Sequence, residues 1–292
     1  MILFNGPKIL FFVVWLALSA ARAGEVDLEK ALGSLIAAEK AYAKAAGEKG
    51  FREASIATFA DDAVIFAPNP VNGKKFWQQT KEDPVISWRP VFAAIARSDD
   101  LGYTTGPAEY YKLRGEKKPQ GFGNFVSIWR KDANGVWKVA LDVGSNHGQP
   151  NQTDIAIRTD VPGTSASNPE SARADLERTQ QTFSDALKED QADAILRAGS
   201  EDIRVYRRDA LPAVGQLAAV KLLSAEHVKT TRTPHGKGMS AAIDLAYEYG
   251  NYSSEHANST QSGIYVSIWR LYPNGAWKLA LDLQKSAPEK KS

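Results

Sequence analysis

An internal repeat constrains this chain more than any other feature. Val126-Ser127-Ile128-Trp129-Arg130 returns as Val266-Ser267-Ile268-Trp269-Arg270, and Asn134-Gly135 with Trp137-Lys138 returns as Asn274-Gly275 with Trp277-Lys278. Ala140-Leu141-Asp142 returns as Ala280-Leu281-Asp282, and all these matches lie 140 positions apart. The same offset sets Asp62 on Asp202 and Phe66 on Tyr206. A further four-residue shift matches Asp100-Leu101, Tyr103 and Gly106 with Asp244-Leu245, Tyr247 and Gly250. Ordered matches over such a span mark a tandem duplication. The first unit is placed at residues 24–145 and a second, diverged unit at 170–285. Between them, residues 146–169 read as a linker rich in Gly, Pro, Asn and Ser, with one extended segment at the apolar island Ile155 to Ile157.

The N-terminus reads as an export signal over residues 1–23. Lys8 precedes the apolar run Ile9 to Leu18, and Ala21-Arg22-Ala23 offers cleavage before Gly24. The run is shorter than the roughly 20 apolar residues of a spanning helix, and no later stretch is apolar enough to cross a bilayer. A soluble protein of the periplasm or exterior is expected, ending in a basic tail over 286–292. The chain has no Cys, which excludes disulfides, thiolate nucleophiles and Cys-ligated zinc. Of 36 Lys and Arg, the signal holds Lys8 and Arg22; its removal leaves 34 basic against 34 acidic residues. That balance gives no reason to expect nucleic acid as a partner. The four His do not fall at zinc-site spacing, and no phosphate-cradling Gly loop or nucleophile elbow is present, so no metal or cofactor is expected.

Within each unit, helices precede strands. Asp27 is placed as the cap of a helix running to about Ala46, with Leu28, Leu32, Leu35, Ile36 and Tyr42 as its apolar stripe. A short helix from Phe51 to Phe59, a strand from Ala63 to Ala67 and a third helix starting near Asn72-Gly73 follow. Pro84 and Pro90 are read as breaks. Strands are expected at Val91 to Arg97, Leu101 to Leu113, Gly123 to Arg130 and Val136 to Val143. Asp132-Ala133-Asn134-Gly135 and Tyr272-Pro273-Asn274-Gly275 specify type I turns with a Gly bulge, setting Trp129 opposite Val139. By simple alternation Phe125, Ser127, Trp129, Trp137, Val139 and Leu141 share the core face. Arg130, Lys138 and Asp142 then stand outside beside Val126, Ile128 and Ala140. That apolar centre with a charged rim suits a sheet-to-sheet pseudo-dimer within one chain, with independent domains as the alternative.

This order of elements, with Phe59-Ala60-Asp61-Asp62-Ala63 leading into the first strand, resembles the nuclear transport factor 2-like superfamily, which includes ketosteroid isomerase and polyketide cyclases of the SnoaL type. The resemblance implies an α+β fold of two tandem cone-like units, each with N-terminal helices packed on a curved antiparallel sheet. It also implies where an isomerase would carry its groups. The base position falls on Ala67, and on Arg207 in the second copy; neither moves a proton. The second acid falls on Ser127 and Ser267, and the family's catalytic tyrosine falls at Ala43, next to Tyr42. Catalysis of the ketosteroid isomerase type is therefore disfavoured, and no catalytic residue is assigned.

Tyr42, Trp77, Trp88, Tyr103, Ser127 and Trp129 are the candidate pocket residues, with Trp129 and Trp137 also read as core. Trp88 has Arg232 as its shifted counterpart, and aromatics unique to one copy make the first unit the better ligand site. Asp61 and Asp62 are read as solvated residues at a helix-to-strand junction, and Asp100, with its repeat Asp244, as a turn residue bonding local backbone. A binder of a small apolar molecule, without isomerase-type catalysis, is the first reading. An isomerase- or cyclase-like enzyme with a non-standard base and a ligand-free pseudo-dimeric scaffold are the alternatives. A filled pocket favours the scaffold; an open apolar pocket holding one unpaired carboxylate favours the enzyme.

Overall fold

The computed structural model describes residues 10–150, 156–160, 166 and 168–287. The first unit begins with α1 (Leu10–Lys49), α2 (Phe51–Thr58), β1 (Phe59–Phe66), β2 (Pro70–Asn72) and α3 (Gly73–Gln79). It continues through β3 (Val85–Trp88), β4 (Phe92–Ile95), β5 (Leu101–Tyr111), β6 (Gly121–Lys131) and β7 (Trp137–His147). A short β8 (Arg158–Asp160) follows. The second unit repeats the plan with α4 (Pro169–Leu187), α5 (Gln191–Ala198), β9 (Gly199–Tyr206), β10 (Ala213–Val214) and α6 (Gln216–Leu223). It ends with β11 (Lys229–Met239), β12 (Leu245–His256), β13 (Ser259–Leu271) and β14 (Trp277–Ser286).

Several local expectations hold for the reasons given. Asn72 caps α3, its side chain accepting from Lys75 N at 2.8 Å. Gly135 and Gly275 sit at φ 75° and 78°, and Trp129 pairs with Val139. Other expectations need correction. Helix α1 does not start at Asp27; it runs unbroken from Leu10, because nothing between the apolar run and Asp27 stops helix propagation. Residues 1–9, 151–155 (with Ile155 of the linker island), 161–165, 167 and 288–292 lie outside the described residues. Pro84 and Pro90 do not abolish structure; they bracket the four-residue strand β3, which pairs with the far half of β5. The linker strand β8 joins the first sheet, pairing in parallel with β4.

The sheet order is β2-β1-β7-β6-β5-β4-β8 in the first unit, with β3 also on β5, and β10-β9-β14-β13-β12-β11 in the second. Both sheets are mostly antiparallel, but the first strand of each unit lies parallel to its last. Helices cover one face: Leu35, Tyr42, Phe51, Phe59, Trp129 and Val139 form one core, and Leu176, Phe183, Leu187, Ile195 and Trp269 form its counterpart. Trp129 and Trp269 are both fully buried in these equivalent places.

The uncovered faces of the two sheets pack on each other. Phe92, Val126, Ile128, Leu141 and Val143 share one cluster with Tyr206, Val266, Ile268, Leu281 and Leu283. Near its centre Leu101, Tyr103 and Ile128 meet their own repeats Leu245, Tyr247 and Ile268. The edge contacts are reciprocal. Arg97 N donates to Asp244 Oδ2, and Ala241 N, its shifted counterpart, donates to Asp100 Oδ2, both at 2.9 Å. Residue i bonding j while j bonds i is the signature of a twofold relation. Asp100 and Asp244 thus do more than stabilise their own turns; each also ties the opposite unit.

Candidate functional site

A β-bulge within β7, distinct from the Gly bulge expected at the turn, carries a consequence that simple alternation misses. Trp129 pairs with Val139 but Ile128 pairs with Leu141, so Ala140 is the extra residue and β7 changes face there. Leu141 therefore turns outward into the interface, and Asp142, expected outside, turns inward opposite Ser127. Asp142 reaches a cavity of about 230 Å³ between the helices and the sheet of the first unit. Tyr42, Phe51, Trp77, Trp88, Ile65 and Ile86 supply its apolar wall. Ala108, Tyr110, Phe125, Val143 and Gly144 form the sheet side, and Lys285 of the second unit completes the lining.

Asp142 is surrounded by protein, and its partial exposure is to this cavity. Ser127 Oγ donates to its Oδ1 at 3.1 Å, and the backbone N–H of Val143 also bonds the carboxylate. Desolvation, with the nearby Glu39 carboxylate, pushes Asp142 up to about 7, against the opposing bond from Ser127. Glu39 itself is fully buried in the apolar stripe of α1. It accepts from Trp88 Nε1 at 2.6 Å, Thr104 Oγ1 at 2.5 Å and Trp129 Nε1 at 2.9 Å. Burial raises its pKa although these bonds work the other way. Glu39 holds the pocket aromatics in place, while Asp142 faces open space.

The sequence candidates divide accordingly. Tyr42, Trp77, Trp88 and Ser127 line the cavity. Tyr42 Oη is engaged with Ser55 Oγ at 2.7 Å, whereas the buried Trp77 Nε1 has no partner among the described residues. Trp129 stands one layer behind, bonded to Glu39. Tyr103 does not line the pocket: residue 104 points inward to Glu39, so 103 points outward into the interface. Asp61 and Asp62 lie on β1 rather than at a junction, exposed and paired with Lys74 and Arg130, each at 2.7 Å.

The second unit shows what became of the same site. Asp282, the repeat of Asp142, is fully buried and accepts from Arg207 Nη2 at 2.8 Å, from Arg232 Nη2 at 2.8 Å and from Ser267 Oγ at 2.9 Å. Burial works to raise its pKa, but the two guanidinium groups outweigh it and hold the carboxyl below its ordinary value. Gln191 Nε2 donates to Gln284 Oε1 beside this cluster. In the first unit the matching positions are Ala67 for Arg207, Trp88 for Arg232, Phe51 for Gln191 and Gly144 for Gln284. Trp88 opposite Ala108 and Arg232 opposite Tyr252 confirm the register. One copy is closed by charge and amide groups; the other keeps the acid and its serine but has neither guanidinium.

Asp282→Ala is expected to cost about 3–5 kcal/mol, because it strands two buried guanidinium groups. Asp142 has the opposite sign. Its folded-state pKa is raised, so the folded form holds the proton longer, and stability falls as pH rises from about 3.8 to about 7. Denaturant titrations across that window should show Asp142→Asn lacking this fall and exceeding the unsubstituted protein at pH 8. An equal fall in both proteins would refute the shift.

Fold and site together define a tandem α+β protein with one open, carboxylate-bearing cavity and one closed copy of it. No family model and no curated protein matches the chain. Among solved structures it is similar to a ketosteroid isomerase-like protein from Erwinia carotovora atroseptica, with 13% identity over 39% of this chain and 96% of that one, TM-score 0.35. It is also similar to an NTF2-like protein with a cystatin-like fold from Novosphingobium aromaticivorans, at 14% identity over 42% and 85%, TM-score 0.34. A third is ActVI-ORFA from Streptomyces coelicolor, at 11% identity over 40% and 97%, TM-score 0.32.

Proposed function

We propose that the mature protein is exported and that its first unit moves a proton on a small, largely apolar molecule, with Asp142 as the group that takes and returns it. The carrying observation is the single Asp142 carboxylate, open to an apolar cavity with a pKa raised to about 7. A general acid–base works best when its pKa lies near the working pH. The isomerase base position remains Ala67, so Asp142 is a base in a different place on the sheet. Ser127 orients it, and Glu39 acts from behind the wall by ordering Trp88 and raising Asp142. The second unit, its acid neutralised by Arg207 and Arg232, serves as partner rather than as a second centre.

Native mass spectrometry of protein purified from its own cell envelope tests this reading. A small bound molecule is expected, and that molecule, returned to fresh protein in deuterated water, should gain deuterium at a carbon, where the label survives return to ordinary water. A retained molecule that gains none would leave a binder without proton chemistry.

A further inference from the structure

Lys285 belongs to the second unit but lines the cavity of the first. It follows Leu281 and Leu283, both members of the interface cluster, at the same strand spacing along β14. Among the described residues its ammonium makes no hydrogen bond and no ion pair; its charge acts on Asp142 from across the cavity. Burial lowers its pKa, and Asp142 opposes that. An acid and a cation that face one cavity without touching leave room for a group between them. The arrangement is one-sided, because the repeat of Lys285 in the first unit is the buried Ser145.

We propose that Lys285 completes the first unit's site across the domain boundary, and that the ligand is a small apolar molecule bearing one acidic hydroxyl, a phenol or an enol. This deepens the function proposed above and rests on the same cavity. The ligand O–H gives its proton to the Asp142 carboxylate, and the bonding pair stays on oxygen. The resulting oxyanion accepts a hydrogen bond from the Lys285 ammonium. Return of the proton from Asp142 to oxygen restores both groups, and its return to the conjugated carbon gives the keto tautomer, so atoms and electrons balance and a carbon can gain the solvent's deuterium. A fixed cation beside a developing oxyanion, where both protein groups are mostly buried, is worth more than the same contact in solution. The other titratable groups around the cavity are Tyr42 and Tyr110, with Glu39 behind its wall and Arg208 of the second unit acting on Lys285.

The test uses 4-nitrophenol, whose ionised form is coloured, with the full chain. Bound to the unsubstituted protein, it should titrate about 1–2 units lower than when bound to Lys285→Met, the shift expected for loss of an opposite charge at close range. Lys285→Arg, which keeps the charge, should retain the unsubstituted midpoint, and Asp142→Asn should lower it further. No binding to the unsubstituted protein at millimolar probe overturns the proposal, as does an equal midpoint in Lys285→Met. Equal shifts in the Met and Arg variants would assign the effect to packing and also overturn it. If the probe responds to Asp142→Asn but not to Lys285→Met, the role of Asp142 stands and that of Lys285 falls.

Discussion

Asp142→Asn should slow deuterium transfer to the bound molecule by about 10²–10⁴-fold, the usual contribution of a positioned acid–base. The substitution keeps size and shape and retains an acceptor for Ser127 Oγ, so the cavity and its aromatic wall remain. Ligand affinity is therefore expected to change far less than the rate. That split separates a catalytic group from one that only shapes the pocket. Ser127→Ala should have a smaller effect in the same direction, since it removes orientation but leaves the carboxylate. Rates unchanged in Asp142→Asn would remove the carboxylate from the chemistry.

Ile128→Glu should be the most damaging substitution at the boundary between units. Ile128 is 2% exposed and meets its own repeat Ile268, so the new carboxylate would be buried without a partner in both halves of the contact. A cost on the order of 3–5 kcal/mol is expected, or separation of the units to hydrate the charge. Small-angle scattering should then show an expanded, two-lobed particle where the unsubstituted chain gives one lobe. Because Lys285 reaches the cavity only across this contact, separation should also raise the titration midpoint of bound 4-nitrophenol. Unchanged scattering together with unchanged stability would mean that the two sheet faces do not hold each other.

Most of the fold is legible in the sequence because its determinants are local or repeated. The 140-residue offset defines the units, Asn72 marks a helix start, and the Gly135 and Gly275 turns set the last hairpins. The site is less legible, and the reason is one residue wide. Period-two alternation carried through β7 puts Asp142 outside and Leu141 inside; the bulge at Ala140 inverts both. Glu39 did leave a trace, an acid in the stripe Leu28, Leu32, Leu35, Glu39, Tyr42, Ala46, but three of its neighbours in space come from distant strands. The clearest unused signal was the comparison between copies. Asp142 and Asp282 are both kept, while Arg207 and Arg232 have no basic counterpart in the first unit. Lys285 was invisible for another reason: its role depends on how the units meet, which neither repeat encodes alone.

The direct test is a carbon-13 NMR titration that follows the side-chain carboxyls of Asp142 and Asp282 in the full chain. Two residues in duplicate positions on duplicate strands should titrate far apart, Asp142 near 7 and Asp282 below 3.8. Asp142 titrating at or below 3.8, alongside Asp282, would mean that its carboxylate is not the unpaired acid of an open site, and the catalytic reading would fail with it.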